Sequence, residues 1–179
     1  YELIRYAADK KFMVVLGTNG TLINKVNAQK IKDAGAHGVG ISIDSMDAVK
    51  HNKFRGVSGA WEHSMEAFKI LNEVGVDFLI QMSVSNMNYK EIPDVVAFTE
   101  KIGAIAFNLY FLVCTGRGQG NTDISNEAYE EALKMLYEEQ MKYKGRLMIN
   151  SKCAPQYKRV VYENDPDSVY TRTYSGGCP

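Results

Sequence analysis

A parallel α/β fold is what this sequence predicts, and three observations carry the prediction. Short apolar, often β-branched runs recur along the chain, each run leads into a longer stretch with apolar residues at helical spacing, and turn residues separate the two. Strands that alternate with helices in this way pair in parallel, because a parallel neighbour is reached only through a crossover long enough to hold a helix.

The elements follow in order. "YELIRYAADKK" reads as a helix leading into "KFMVVLGTNG", a strand closed by Asn-Gly. Residues 22–35 read as the next helix, with Asn24 as N-cap and Gly35 as the stop. "GVGISID" is the second strand, followed by a polar loop to Gly59. "AWEHSMEAFKILNEVG" then places Trp61, Met65, Phe68, Leu71 and Val74 on one helical face. "DFLIQMSVS" precedes "NMNYKEIPDVVAFTEKIG", where Ile92, Val95, Val96, Thr99 and Ile102 form the stripe. "AIAFNLYFLVC" precedes a Gly-rich loop and a helix over 125–143, with Tyr129, Ala132, Leu133, Leu136 and Gln140 similarly spaced, and "RLMIN" closes the series. Periodicity does not separate a barrel from an open doubly wound sheet, but in both the chemistry gathers at the carboxyl ends of the strands. Those ends carry Thr18-Asn19-Gly20, Ser42 with Asp44, Ser83 with Ser85 and Asn86, and residues 113–118.

Composition narrows the partners. At 179 residues and 45% hydrophobic, the chain can bury the core of one domain. Its 21 basic and 21 acidic residues cancel, so no overall field gathers nucleic acid or an anionic membrane, and a small-molecule partner is expected. Cys114, Cys153 and Cys178 are an odd, widely spaced set with no C-x-x-C, and His37, His51 and His63 lie at no metal-ligand spacing. With no secretory signature at its start, the chain is expected in a reducing cytoplasm. It opens inside a repeat without an initiator Met and stops one residue after Gly-Gly-Cys, so a piece of a longer protein is expected.

At the strand ends the sequence resembles the radical S-adenosylmethionine (radical SAM) enzymes. "TNGTLI", "ISIDSMDAVKHNKFRGVSGAWEHSMEAFKILNEVGV" and "SVSNMNYKEIPDVVAFTEKIGA" resemble the third, fourth and fifth strand-loop-helix units of that family's partial (β/α)6 barrel. The closing "GGCP" is similar to the opening of the auxiliary iron–sulfur domain called SPASM or twitch. The resemblance implies a TIM-like partial barrel, units three to six, over 1–150, without its first strands and cluster loop. It implies a linker and the start of the auxiliary domain over 151–179. It also implies SAM and a [4Fe–4S] cluster whose ligands lie upstream, an auxiliary [4Fe–4S] cluster, and an electron donor such as ferredoxin or flavodoxin. The family's chemistry is reductive cleavage of SAM to a 5′-deoxyadenosyl radical that takes hydrogen from substrate. "YFLVCTGRGQGN" and "SKCAPQYKRVV" are similar to the branch that alters side chains of haem precursors, with Cys114 where those relatives usually have proline. Maturases of peptides or of tungsten cofactors share the loop, and a barrel that binds without catalysis is the third alternative.

The resemblance assigns roles beside structural readings of the same residues. Ser42 and Asp44 contact SAM, or cap a strand end and the next helix. Ser83 and Ser85, two apart and so on one face, reach SAM or bond to backbone. Leu112 and Val113 pack on adenine or on the core. Thr18, Asn19, Thr115 and Arg117 line the substrate side, the last two suiting a carboxylate, while Asn-Gly also makes a turn. Cys178 ligates the auxiliary cluster, and Cys153 reaches toward that cluster or toward substrate iron, or is a small buried hydrophobe. Asn88 with Glu91 reads as a capping box, and Arg55 clamps a carboxylate or ties its loop to the barrel.

Overall fold

The computed structural model describes residues 1–111 and 124–172. After α1 (Glu2–Asp9) come the units β1 (Val15–Thr18) with α2 (Lys25–Asp33), and β2 (Gly38–Ser42) with α3 (Ala48–Arg55) and α4 (Ala60–Val74). β3 (Phe78–Val84) leads through a 3-10 turn at Tyr89–Glu91 into α5 (Ile92–Lys101), and β4 (Ala106–Phe111) precedes α6 (Asn126–Lys142). β5 (Met148–Lys152), α7 (Tyr157–Asn164) and α8 (Val169–Arg172) complete the described chain.

The five strands form one parallel sheet in the order β1-β2-β3-β4-β5. A doubly wound sheet reverses its strand order at a switch point; this one never does. Burial agrees. Val39, Ile41, Phe78, Ile80, Met82, Phe107, Leu109 and Ile149 are buried beneath the helices, while the alternate residues Leu79, Gln81, Ser83, Tyr110, Asn150 and Lys152 are only half-buried. Helices therefore pack on one face of the sheet, and the other face is the lumen side of a partial barrel.

Local signals explain the elements. Asn24 and Asn27 close a reciprocal capping box at the start of α2, and Ser125 accepts from Ala128 N at the start of α6. The segment before Gly59, expected as a polar loop, holds α3: Asp47 caps it by accepting from Val49 N and Lys50 N, and Gly56, at φ 67°, stops it. Its polar composition hid it, since only His51 is buried. After β5, Ala154, Tyr157, Val160 and Val161 join the core shared by the sheet and the earlier helices. Among the described residues no helix is long and apolar enough to cross a membrane.

Met82 is fully buried in the middle of β3, and Val26 is 65% exposed on α2. Met82→Ala is expected to lower the unfolding free energy by about 2–5 kcal/mol. Val26→Ala should change it by less than about 0.5 kcal/mol. Urea denaturation of the two variants checks the contrast.

Candidate active site

Strand register sorts the lumen face into rows. The row nearest the amino ends is apolar or lacks side chains: Gly17, Gly40, Leu79, Ala106 and Met148. Next comes a row of hydroxyl and amides, Ser42, Gln81, Asn108 and Asn150. The last row, at the carboxyl ends, is Ser83, Tyr110 and Lys152. Two bonds hold the polar groups in place: Asn150 Nδ2 donates to Asn108 Oδ1 at 3.0 Å, and Gln81 Nε2 donates to the Tyr110 hydroxyl at 3.3 Å. Gly40 makes room for this, because a Cβ there would lie 2.9 Å from Gln81 Nε2.

Above the rows, the loops after β2 and β3 are knotted together. Asp44, 1% exposed, accepts from Ser83 N at 2.9 Å through Oδ1 and from Arg55 Nε at 2.5 Å through Oδ2. Its own N–H donates to His51 Nδ1 at 3.1 Å, and its carbonyl accepts from Asn88 Nδ2 at 2.8 Å. Asn88 Nδ2 also reaches Ser83 O, and Asn88 Oδ1 accepts from Ser85 N and Ser85 Oγ. A second latch lies outside the first: Glu91 accepts from Ser45 Oγ at 2.6 Å, Met46 N at 3.0 Å and Lys50 Nζ at 3.1 Å. Beside the knot is a hollow of about 200 Å³ whose lining includes Asn19, Ser42, His51 and Arg55. Another, of about 310 Å³, is lined in part by Lys50, Phe54 and Met87.

The protonation states follow from these contacts. Burial, above all, holds His51 below its ordinary pKa; the Asp44 carboxylate pulls it up, Arg55 pushes it down and Glu62 pulls it up. Its Nδ1 is occupied as an acceptor, so the ring is neutral with its proton on Nε2, and the 3.8 Å approach of Nδ1 to Asp44 Oδ2 is not an ion pair. Burial pushes Glu91 up, yet the bonds from Ser45, Met46 N and Lys50 outweigh it and hold the carboxyl below its usual range.

The expected site residues are not all gathered in one place. Ser42 and Asn19 share the hollow with Arg55. Asp44 is spent on the knot and does not cap the following helix, which Asp47 caps. Ser83 lies in the last lumen row, while Ser85 is buried on Asn88. Thr18 pairs in register with the buried Ile41, on the helix side, and its hydroxyl accepts from Gly20 N. Cys153 follows β5 with φ 59° and lies close enough to raise the pKa of Tyr110 and Tyr129, for which burial is the larger cause. The capping box expected of Asn88 and Glu91 does not form; both side chains are drawn into bonds across the sheet edge, worth more to buried groups than a helix cap. Leu112, Val113, Cys114, Thr115, Arg117 and Cys178 lie outside the described residues. The sequence reading passed over Gln81, Asn108, Tyr110, Asn150 and Lys152. For Gln81, Asn108 and Tyr110 the signal was the polar alternation in "LIQMSV" and "AFNLYF".

A half-barrel with a polar lumen and a hydrogen-bonded rim at its carboxyl edge has the architecture of a (β/α) barrel that takes a ligand at that edge. The Radical SAM superfamily model matches residues 1–99, and the chain belongs to that family. It is 40% identical to the AdoMet-dependent heme synthase of Nitratidesulfovibrio vulgaris, over 99% of this chain and 51% of that protein. It is 34% identical to the Fe-coproporphyrin III synthase of Methanosarcina barkeri, over 76% of this chain and 35% of that protein. The chain thus spans about half the length of the first of these relatives, or less of the second. Streptococcus suis SuiB, solved bound to the precursor peptide SuiA, has the same fold, with a TM-score of 0.72 at 16% identity over 97% of this chain and 40% of that one. The family is named for SAM, which its members use together with a [4Fe–4S] cluster. Among the described residues no three His, Cys, Asp or Glu side chains converge as a metal site.

Two predictions follow from the knot. Asp44→Ala strands Ser83 N–H and the Arg55 guanidinium, and is expected to cost about 2–3 kcal/mol in urea denaturation. Asp44→Asn, which keeps an acceptor for Ser83, should cost less. The second concerns pH. The unfolded His51 takes up a proton below about pH 6.5, which the folded ring resists. Its contribution to stability is complete above that pH and is lost as pH falls from there toward the depressed folded value. Glu91 adds a further loss below its unfolded value of 4.5. A stability-pH profile should therefore decline first below pH 6.5, and His51→Asn, whose Oδ1 replaces Nδ1 as acceptor, should remove that first decline.

Proposed function

We propose that this chain forms the central part of the catalytic barrel of a radical SAM enzyme that modifies side chains of a haem-type tetrapyrrole precursor. One observation carries the substrate: 40% identity to a haem synthase over 99% of the chain. The residues present fit SAM. Arg55 uses Nε on Asp44, and its remaining N–H groups, beside the Ser42 hydroxyl, suit a carboxylate. The amides of Gln81, Asn108 and Asn150 offer donors and acceptors to a ribose or base. When bound, SAM and a reduced cluster supply one-electron chemistry that removes hydrogen from the substrate. The chain's own part is positional. Asp44 fixes Arg55, and the knot holds the ends of β2 and β3 at one height.

Further assignments belong to this reading: a linker and the start of the auxiliary domain over 151–179, cluster ligation by Cys178 and Cys153, adenine packing on Leu112 and Val113, and substrate contacts from Thr18, Asn19, Thr115 and Arg117. A ferredoxin or flavodoxin as electron donor follows from the family's chemistry, and a cytoplasmic setting fits the widely spaced cysteines.

The test uses the intact protein, reconstituted anaerobically with iron and sulfide and reduced with dithionite. With SAM and iron coproporphyrin III it is expected to release 5′-deoxyadenosine and to change the porphyrin's mass. An unshifted Soret band and unaltered porphyrin, with SAM still cleaved, would overturn the tetrapyrrole reading.

A further inference from the structure

Among the described strand residues of the lumen face, Lys152 is the one that carries a charge. The two cations of the rim knot are matched, Arg55 by Asp44 and Lys50 by Glu91. Lys152 has no such match among the described residues, and register puts it in one row with Tyr110 and Ser83. Neighbouring strands lie about 4.8 Å apart, so three groups in one row can meet a single ligand group.

All three groups are donors. The Tyr110 hydroxyl already accepts from Gln81 Nε2, which leaves its O–H to donate. Burial, and then the nearby Cys153, hold that phenol above its usual pKa, so it keeps its proton at neutral pH. Ser83 gives its backbone N–H to Asp44, and its hydroxyl stays available for the lumen. Among the described residues no acidic side chain occupies a strand position on this face. An ammonium, a phenol and a hydroxyl in line, with no competing carboxylate, are complementary to a ligand group that only accepts and carries negative charge.

We propose that Lys152 and Tyr110, with Ser83 beside them, receive a carboxylate of the substrate and thereby set its orientation in the lumen. This deepens the tetrapyrrole reading and rests on it, since the side chains of such a precursor end in carboxylates. The carboxylate of SAM offers the same chemistry, so the experiment separates the two sources.

The intact protein and its Lys152→Met, Lys152→Arg and Tyr110→Phe variants are titrated with iron coproporphyrin III in the absence of SAM, following the Soret band. They are titrated separately with SAM in the absence of porphyrin, by calorimetry. Lys152→Met is expected to weaken porphyrin binding about tenfold and Tyr110→Phe a few-fold, the loss of one charge-assisted and one neutral hydrogen bond. Lys152→Arg should recover most of the loss, and the affinity for SAM should stay unchanged in all three. The inference is overturned if Lys152→Met binds porphyrin as the wild type does, or if it loses affinity for SAM and keeps that for porphyrin. In both cases the wild type's porphyrin binding leaves the functional reading standing. Should the wild type bind no porphyrin at all, that reading falls, and this inference falls with it.

Discussion

Asp44 is the constraint on which the carboxyl edge of the barrel depends. A carboxylate 1% exposed to solvent is tolerated only when its charge is matched and its oxygens are bonded, and here one oxygen takes Arg55 and the other the backbone of Ser83. Those two bonds join three pieces of chain: the end of β2, the end of β3 and the last turn of α3. The peptide groups on either side of the carboxylate are used as well, one by His51 and one by Asn88. Loops at a barrel mouth are ordinarily the loosest part of the fold. Here the second and third loops behave as one body, because shifting either would strand several buried polar groups at once.

The lumen obeys a different economy. The period of two in a strand sends Ile80, Met82 and Val84 to the helices and Leu79, Gln81 and Ser83 to the other side. Apolar residues on both faces would have given a more strongly packed element. The amides are held instead by bonding to one another, Asn150 to Asn108 and Gln81 to Tyr110, which orients them while leaving each with hydrogen-bonding capacity to spare. That spare capacity adds nothing to stability. It is what a ligand can use without the protein having to rearrange.

Much of the fold was legible in the sequence, because the signals for it are local. Alternation and helical spacing marked the five strands and the long helices, and Asn24 and Ser125 marked two helix starts. α3 was missed because a short helix with one buried residue has almost no apolar stripe; its only signals were Asp47 before it and Gly56 after it. Barrel and doubly wound sheet were indistinguishable for a related reason. Strand order is a property of pairing between distant segments, and no window of sequence contains it. Within the site, hydroxyls at strand ends drew attention to Ser42 and Ser83, but Lys152 and Asn150 sit on a short strand whose partner residues lie 42 positions away. Asn88 and Glu91 failed in the opposite direction. A local pattern for a helix cap was present, and contacts with the loop after β2 took both side chains instead.

The knot and the lumen rows are two halves of one arrangement. Register fixes the depth of each polar row, but it does so only while β2 and β3 keep their relative height, and above Ser42 and Gln81 that height is held by Asp44 on Ser83 N. A slip there would move Ser42, at the end of β2, out of step with Ser83 on β3 and with the Tyr110 that pairs with it. The buried carboxylate therefore need not touch a ligand to matter for one. By holding two strand ends level, it keeps donors on three strands within reach of the same small set of atoms, a precision that a chain of separately flexible loops would lose.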